Sequence, residues 1–187
     1  MVILGQAYEF GTDDFTEGID YIKVLNLSDG TTKLLFLQLY PEDIYHLVAV
    51  PGKGVLIGID KWLVLWDAVD PDVVRWRVRM DTPAYLTVMG NDRFLVVGRD
   101  LRSLFLFNLD GYKQEATVRT GEAIMGLPVL IDGIIYIPVT NGVIRFSSAL
   151  VQIDKILVPN LKKEAKISAN AAILYISDGF SISRIAI

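Results

Sequence analysis

Three arginines on one short segment are the most specific chemical feature of this sequence. Arg75, Arg77 and Arg79 alternate with apolar residues, and in a strand this spacing puts all three guanidinium groups on one face, about 7 Å apart. Such a row could bind phosphates or an acidic segment. The plainer interpretation is a charged outer strand that discourages pairing with other strands. We take the three residues as the candidate interaction surface.

A second charged cluster is acidic. Asp13, Asp14, Glu17 and Asp20 lie in the segment GTDDFTEGID, with no basic residue before Lys23. Calcium needs roughly six to eight oxygen ligands at constrained spacing, and this segment matches no calcium-loop pattern. We interpret it as a solvated acidic loop between strands that could neutralise the arginine row. A metal or a basic partner is the alternative.

The remaining residue types give no catalytic constellation. The chain has no cysteine and one histidine, which excludes disulfides, thiolate metal sites, a cysteine nucleophile and any site with two histidines. Paired carboxylates could serve a glycosidase, but no pair can be selected among 22 acidic residues. We therefore assign no catalytic, cofactor-binding or metal-ligating residue. We expect no cofactor and a protein that is not an enzyme.

The elements that position these residues must come from an apolar, compact chain. The 187 residues are 52% apolar and 21% charged, which excludes a disordered protein and suits a single domain. A net charge of -4 gives no basic field for nucleic acid. The most apolar stretch, 47–66, contains Pro51, Lys53, Asp60 and Lys61, so we expect no membrane span. With no basic leader at the amino end, we expect a cytoplasmic protein.

Short apolar runs and explicit turn signals predict an all-β chain. The runs are rich in Val, Ile, Leu and aromatic residues, and no long helical stripe interrupts them. Between the runs stand dipeptides that favour the positive φ angles of tight turns. These dipeptides are Asp29-Gly30, Asp110-Gly111, Asp132-Gly133, Asn141-Gly142 and Asp178-Gly179.

The pattern repeats about every forty residues. Similar strand ends fall at Asn26, Asp67 and Asn108, each 41 residues after the one before. The approximate units are 1–40, 41–80, 81–120, 121–160 and 161–187. Each middle unit is predicted to hold four strands, which in the fourth unit are 126–131, 133–139, 142–147 and 150–157. Recurring four-stranded units of this length are typical of β-propeller blades, which cover one another's faces by stacking.

The second, third and fourth units resemble known propeller repeats, the third, LTVMGNDRFLVVGRDLRSLFLFN, following the same course as the second. The segment HLVAVPGKGVLIGIDKWLVLWD, His46–Asp67, resembles the core of a WD40 repeat, with Asp60 six residues before Trp66. The fourth unit, GLPVLIDGIIYIPVTNGVIRF, is similar to the quinoprotein-like branch of propellers. The Gly-His pair that opens a WD40 repeat is missing. The resemblance implies a β-propeller of about five four-stranded blades and, by analogy of fold, a docking platform for proteins.

The terminal units are predicted to be incomplete. The first has strands near 2–9, 19–27 and 31–40 and lacks the innermost one, and the last has strands near 164–169, 172–177 and 179–186 and lacks the outermost one. Three arrangements remain open: a five-bladed ring, a piece of a larger propeller, or another all-β fold. Exposed edges pair with other strands. We therefore expect self-association or a protein partner at the incomplete blades.

The function expected from these observations is a non-catalytic scaffold for protein–protein interaction or assembly. The alternative is a propeller that binds a carbohydrate or a small ligand in its central funnel, with glycoside-active chemistry in some such proteins. A third class, quinone-dependent oxidoreduction, needs metal and quinone ligands that we cannot locate in the sequence.

Overall fold

The structure is a computed structural model of the chain. It describes residues 21–25, 32–36, 44–50, 52–59, 61–67, 70, 73–81, 83–90, 92–110, 112–159, 161, 164–170, 173–177 and 181–186. Throughout these ranges the regular elements are β-strands, seventeen in all, and none of the elements is a helix. The described ranges therefore include no helix long and apolar enough to cross a membrane.

The strands form five antiparallel sheets, each a run of consecutive strands along the chain. Sheet 1 is β1 (Tyr21–Leu25) and β2 (Thr32–Phe36). Sheet 2 is β3 (Ile44–Val50), β4 (Gly54–Ile59), β5 (Trp62–Asp67) and β6 (Val74–Arg79). Sheet 3 is β7 (Tyr85–Met89), β8 (Arg93–Val97), β9 (Ser103–Asn108) and β10 (Lys113–Arg119).

The last two sheets continue the same order. Sheet 4 is β11 (Val129–Ile131), β12 (Ile134–Val139), β13 (Gly142–Ser147) and β14 (Gln152–Leu157). Sheet 5 has three strands, β15 (Lys166–Asn170), β16 (Ile173–Ser177) and β17 (Ile182–Ala186). By contacts the chain divides into two compact units, Met1–Thr82 and Pro83–Ile187. Sheets 3, 4 and 5 therefore belong to the second unit.

The apolar runs of the sequence become the middle strands of these sheets. Four consecutive residues are buried in β5 and in β8, and five in β12, because both faces of a middle strand are covered. The fourth strands differ. In β6 and in most of β10 the residues alternate between exposed and half-buried, as expected for a strand at the rim of a sheet.

Within the second unit, sheets 3, 4 and 5 pack in sequence order. One buried cluster joins sheets 3 and 4 and includes Leu95, Leu106, Ile137 and Phe146. Another joins sheets 4 and 5 and includes Tyr136, Val143, Leu174 and Ile176. Burial of these side chains from both sides supplies the main stabilisation.

One predicted turn is confirmed and another is shifted. Asp132 and Gly133 both have positive φ angles, +49° and +78°, and join β11 to β12 as a two-residue loop. The prediction of an Asn141-Gly142 turn is wrong by one residue. Val139 pairs with Gly142, so the loop is Thr140-Asn141 and Gly142 already belongs to β13.

The predicted strand at 126–131 is also too long. Upstream of β11, an isolated bridge joins Ile124 to Val139 of β12. The chain then bends through Gly126, where an added Cβ would lie 2.0 Å from the carbonyl oxygen of Ala165. Pro128 has no N–H to donate to a ladder. Regular pairing consequently begins at Val129.

Candidate functional site

The structure brings the three predicted arginines together on the rim of sheet 2. They lie on β6, the last strand in the sheet order β3-β4-β5-β6. Arg75, Arg77 and Arg79 are exposed, whereas the residues between them are half-buried. The candidate interaction surface is therefore a row of outward side chains on an outer strand.

The three arginines have different surroundings. Arg75 Nε donates to Asp67 Oδ2 at 2.5 Å, and the Asp67 side chain is only 12% exposed. The Arg77 guanidinium lies over the Trp62 ring, 5.4 Å from its centroid, within range of a cation–π attraction. Trp62 is the direct cross-strand partner of Arg79. In the described part of the chain, the ion pairs involve neither Arg77 nor Arg79.

A β-bulge sits near the start of β6. Leu65 pairs with Trp76 and Trp66 pairs with Val74, so Arg75 is the extra residue. The fourth strands of sheets 3 and 4 have the same irregularity, which leaves Glu115 and Ile153 as the extra residues. A bulge bends and twists its strand and interrupts regular pairing. The three outer edges are thus irregular at corresponding places.

Polar pairs link the fourth strands of sheets 3 and 4 to the second and third strands. In sheet 3, Asn108 Nδ2 donates to Glu115 Oε1 at 3.1 Å, and Arg93 Nε lies 3.1 Å from Glu115 Oε2. In sheet 4, Arg145 Nε donates to Asp154 Oδ1 at 2.6 Å. The hydrogen bonds with Arg145 lower the pKa of Asp154 and outweigh the opposing effect of desolvation, and in return they raise the pKa of Arg145.

Two further carboxylates hold turns and connections. Asp100 accepts the backbone N–H groups of Arg102 and Ser103, at 3.0 and 2.9 Å. Desolvation raises the pKa of Asp100, but these hydrogen bonds, one from the Ser103 hydroxyl and the charge of Arg119 together lower it. Glu122, between sheets 3 and 4, forms an ion pair with Lys155. Both groups serve structure in the second unit.

A shallow groove of about 410 Å³ lies beside the outer strand of sheet 3. It is lined by Lys113–Ala116 together with Arg93, Leu106 and Ala149. Glu115, the one carboxylate in this lining, is already engaged by Arg93 and Asn108. The groove therefore presents two cations, Arg93 and Lys113, and one carboxylate, Glu115, that already has partners. Its lining contains no nucleophile–base pair.

The other sequence predictions have separate outcomes. The acidic cluster Asp13, Asp14, Glu17 and Asp20 lies outside the described residues. Within the described ranges, no group of three or more His, Cys, Asp or Glu side chains is arranged to hold a metal ion. The funnel-binding alternative stays a prediction.

Sequence reasoning missed the bulges and the partners of the arginines. Alternation showed which residues of β6 face outward, but not which residue of β5 stands opposite each one. That offset follows from the extra residue at Arg75. The signal for the Arg77–Trp62 contact was the aromatic residue at the start of the preceding strand.

Comparison with known proteins supports the fold alone. No protein-family model matches the sequence, and no curated protein is detectably similar to it. BamB from Moraxella catarrhalis is similar in structure, with a TM-score of 0.66 and 13% identity over 89% of this chain and 52% of that chain. Apo AztD from Citrobacter koseri has a TM-score of 0.61 and 13% identity over 74% of this chain and 42% of that chain.

Both of these proteins have propeller-type folds. The chain has a β-propeller fold. It matches about half the length of BamB and 42% of AztD. The fold class predicted from the forty-residue repeat is confirmed, whereas the WD40-like or quinoprotein-like assignment stays a prediction.

Proposed function

We propose that this protein is a non-catalytic propeller module that binds another polypeptide at the outer edge of sheet 5. The observation that carries the proposal is the strand count. Sheets 2, 3 and 4 each have a fourth strand, whereas sheet 5 ends at β17, and no described strand pairs with its outer side. An open edge presents a row of N–H and C=O groups to an incoming strand.

The side chains of β17 suit such an addition. Ile182 is 74% exposed, and the strand alternates between exposed and half-buried residues. An added strand would cover Ile182 and pair the backbone groups beside it. The gain is main-chain hydrogen bonding together with burial of apolar side chains, as in other cases of β-strand addition.

The simplest partner to test is a second copy of the chain. We expect the full chain to self-associate as its concentration rises, which light scattering can follow. Ile182→Lys should weaken association, because it places a charge on the pairing edge. Leu157→Lys is the matched control, since Leu157 has the same 74% exposure but lies on β14, the fourth strand of its sheet.

Hydrogen exchange locates the contact. Association through β17 should slow amide exchange in Ile182–Ala186 with little change in β6 or β10. A protein that stays monomeric across a wide concentration range contradicts the proposal. Equal loss of association in the Ile182 and Leu157 variants also contradicts the proposal, because association would then be a non-specific effect of exposed apolar residues.

A further inference from the structure

We propose that the outer edge of β6 binds an extended acidic segment of a partner protein, with carboxylates at alternate positions that pair with Arg77 and Arg79. This site is separate from the β17 edge and does not depend on it. The sites differ in chemistry, because β17 exposes Ile182, Ala186 and a single arginine, Arg184, whereas β6 exposes three arginines.

The first step is the charge of β6 among the described residues. Asp67 engages Arg75, while Arg77 rests on an indole ring and, among the described residues, no ion pair includes Arg79. Just beyond Arg79, the Met80 N–H donates to the Lys61 carbonyl oxygen at 3.0 Å, which continues the pairing of the two strands. Asp81 is the exposed acid that follows. In the described stretch 73–81, three arginines therefore accompany one acid, although the whole chain carries -4.

The second step is the spacing. Arg77 and Arg79 are two residues apart on one strand, so they share a face about 7 Å apart. Residues two apart on an added strand have the same spacing and lie directly opposite them. Each carboxylate can then take two N–H groups of one guanidinium fork. A contiguous acidic run would instead direct every second carboxylate to the other face.

The third step is the positioning of Arg77. Its guanidinium is held over Trp62, and Trp62 is half-buried in β5. A planar guanidinium stacked on an aromatic face loses less conformational freedom when it pairs with a carboxylate. Arg77 is therefore the residue prepared for binding.

The fourth step is the backbone. Among the described strands β6 pairs only with β5, and the bulge at Arg75 interrupts the regular ladder at its start. The regular part of the outer edge is Trp76–Arg79. It is long enough for two residues of β6 to form backbone hydrogen-bonded pairs with an added strand. Cations on such an edge repel most added strands, and the same cations select an acidic one. A free phosphate would use the charges but not this backbone edge, which favours a peptide.

The experiment uses the full chain and a labelled synthetic peptide of about eight residues in which Glu alternates with Thr. Fluorescence anisotropy should show binding that weakens with added salt, because the pairs are exposed. A peptide of the same composition in which the glutamates come as adjacent pairs separated by two threonines, so that no two glutamates are two residues apart, should bind more weakly. Inorganic phosphate at equal ionic strength should compete no better than chloride.

Variants assign the site. Arg77→Gln with Arg79→Gln should weaken peptide binding about tenfold, since two exposed ion pairs are lost. Arg99→Gln with Arg102→Gln is the matched control, because it makes the same charge change at exposed positions in a turn of sheet 3. The control should retain wild-type affinity. Both variants should keep the wild-type melting temperature, which shows that any loss comes from the site.

Several results would overturn the proposal. They are absence of peptide binding at low salt, equal weakening in the two double variants, and no preference for the alternating peptide over the one with paired glutamates. Effective competition by inorganic phosphate would reduce the surface to a simple anion site. Ile182→Lys should leave peptide binding unchanged. The failure of the β6 site and the failure of the β17 contact can therefore be distinguished.

Discussion

At the residue scale, two backbone segments touch where sheets 4 and 5 begin. Ala165 N–H donates to the Met125 carbonyl oxygen at 2.9 Å. Directly beside this bond, a Cβ at Gly126 would stand 2.0 Å from the Ala165 carbonyl oxygen and 3.0 Å from its nitrogen. Only a residue without a side chain allows the two chains to approach so closely. Gly126 therefore sets the distance between the inner parts of two sheets.

Replacing Gly126 by Ala should destabilise the protein by about 1–3 kcal/mol, because backbone rather than a flexible side chain must move. Urea unfolding followed by circular dichroism measures the change. Gly121→Ala is the control: its Cβ would meet nothing within 4 Å, so we expect no loss of stability. Similar losses in the two variants would contradict this account of the contact.

Glu122 makes stability depend on pH. The hydrogen bond from Lys155 is the largest cause that lowers the pKa of Glu122; burial opposes it, and the Asn141 N–H, 3.1 Å from Oε2, adds to it. Since the unfolded chain binds the proton more readily, stability is full above the ordinary pKa and falls as pH drops through the folded one.

The matching prediction concerns Glu122→Gln. At neutral pH this variant should be less stable by about 1 kcal/mol or less, because one partly exposed ion pair is lost. On acidification below 4.5, the ordinary pKa of Glu122, its stability should fall less steeply than that of the wild type. Urea titrations at a series of pH values test this. Parallel pH curves for the two proteins would show that Glu122 does not contribute.

At the element scale, the β11–β12 hairpin depends on its turn. β11 has three residues, each with one partner in β12. So few backbone pairs do little to fix the register of the two strands, which therefore depends on the turn. The turn Asp132-Gly133 has positive φ at both positions. This combination matches the twist of the two strands, and Gly adopts it without the steric cost that other residues have.

Gly133→Ala should therefore cost about 1 kcal/mol or more, because Ala is strained at φ +78°. Space is not the reason, since a Cβ there would meet nothing within 4 Å. Asp132→Asn is the control and should keep wild-type stability, as Asn tolerates the same conformation. Thermal unfolding compares the two. If Gly133→Ala unfolds at the same temperature as the wild type, the turn has changed its backbone conformation to accommodate Ala.

Much at this scale was predictable from the sequence. Alternation and turn dipeptides placed the strands of sheets 2, 3 and 4 within a few residues. The bulges at Arg75, Glu115 and Ile153 were not predictable, because an extra residue on one strand shows only against its partner. The same offset decides that Asp67 meets Arg75 and Trp62 meets Arg77. Alternation identifies a face, whereas contacts across a sheet depend on register.

At the scale of the whole molecule, the forty-residue repeat predicted the fold class because each unit becomes one sheet. No sheet can cover both of its faces alone, so stacking determines which strands are apolar. The clusters between sheets 3 and 4 and between sheets 4 and 5 show this sequential packing. Binding partners could not be predicted in this way, since repeats with a similar apolar pattern differ in the exposed residues of their outer strands.

Sequential packing predicts that damage to one sheet stays near that sheet. Leu174 is fully buried in the cluster between sheets 4 and 5, and Leu174→Ala should cost about 3 kcal/mol. Hydrogen exchange should then accelerate in β11–β17 and stay slow in β3–β6. The three tryptophans, Trp62, Trp66 and Trp76, are all in the unit Met1–Thr82, so their fluorescence should change little at denaturant concentrations where sheet 5 exchanges.

Leu63→Ala provides the reciprocal variant, because Leu63 is equally buried but lies in β5 of sheet 2. It should accelerate exchange in β3–β6 and shift the tryptophan transition to lower denaturant. In repeat proteins, where each unit contacts only its neighbours, destabilisation spreads in this graded way. If both variants instead accelerate exchange equally in every sheet, the chain unfolds as one cooperative block and the stability of each sheet cannot be considered separately.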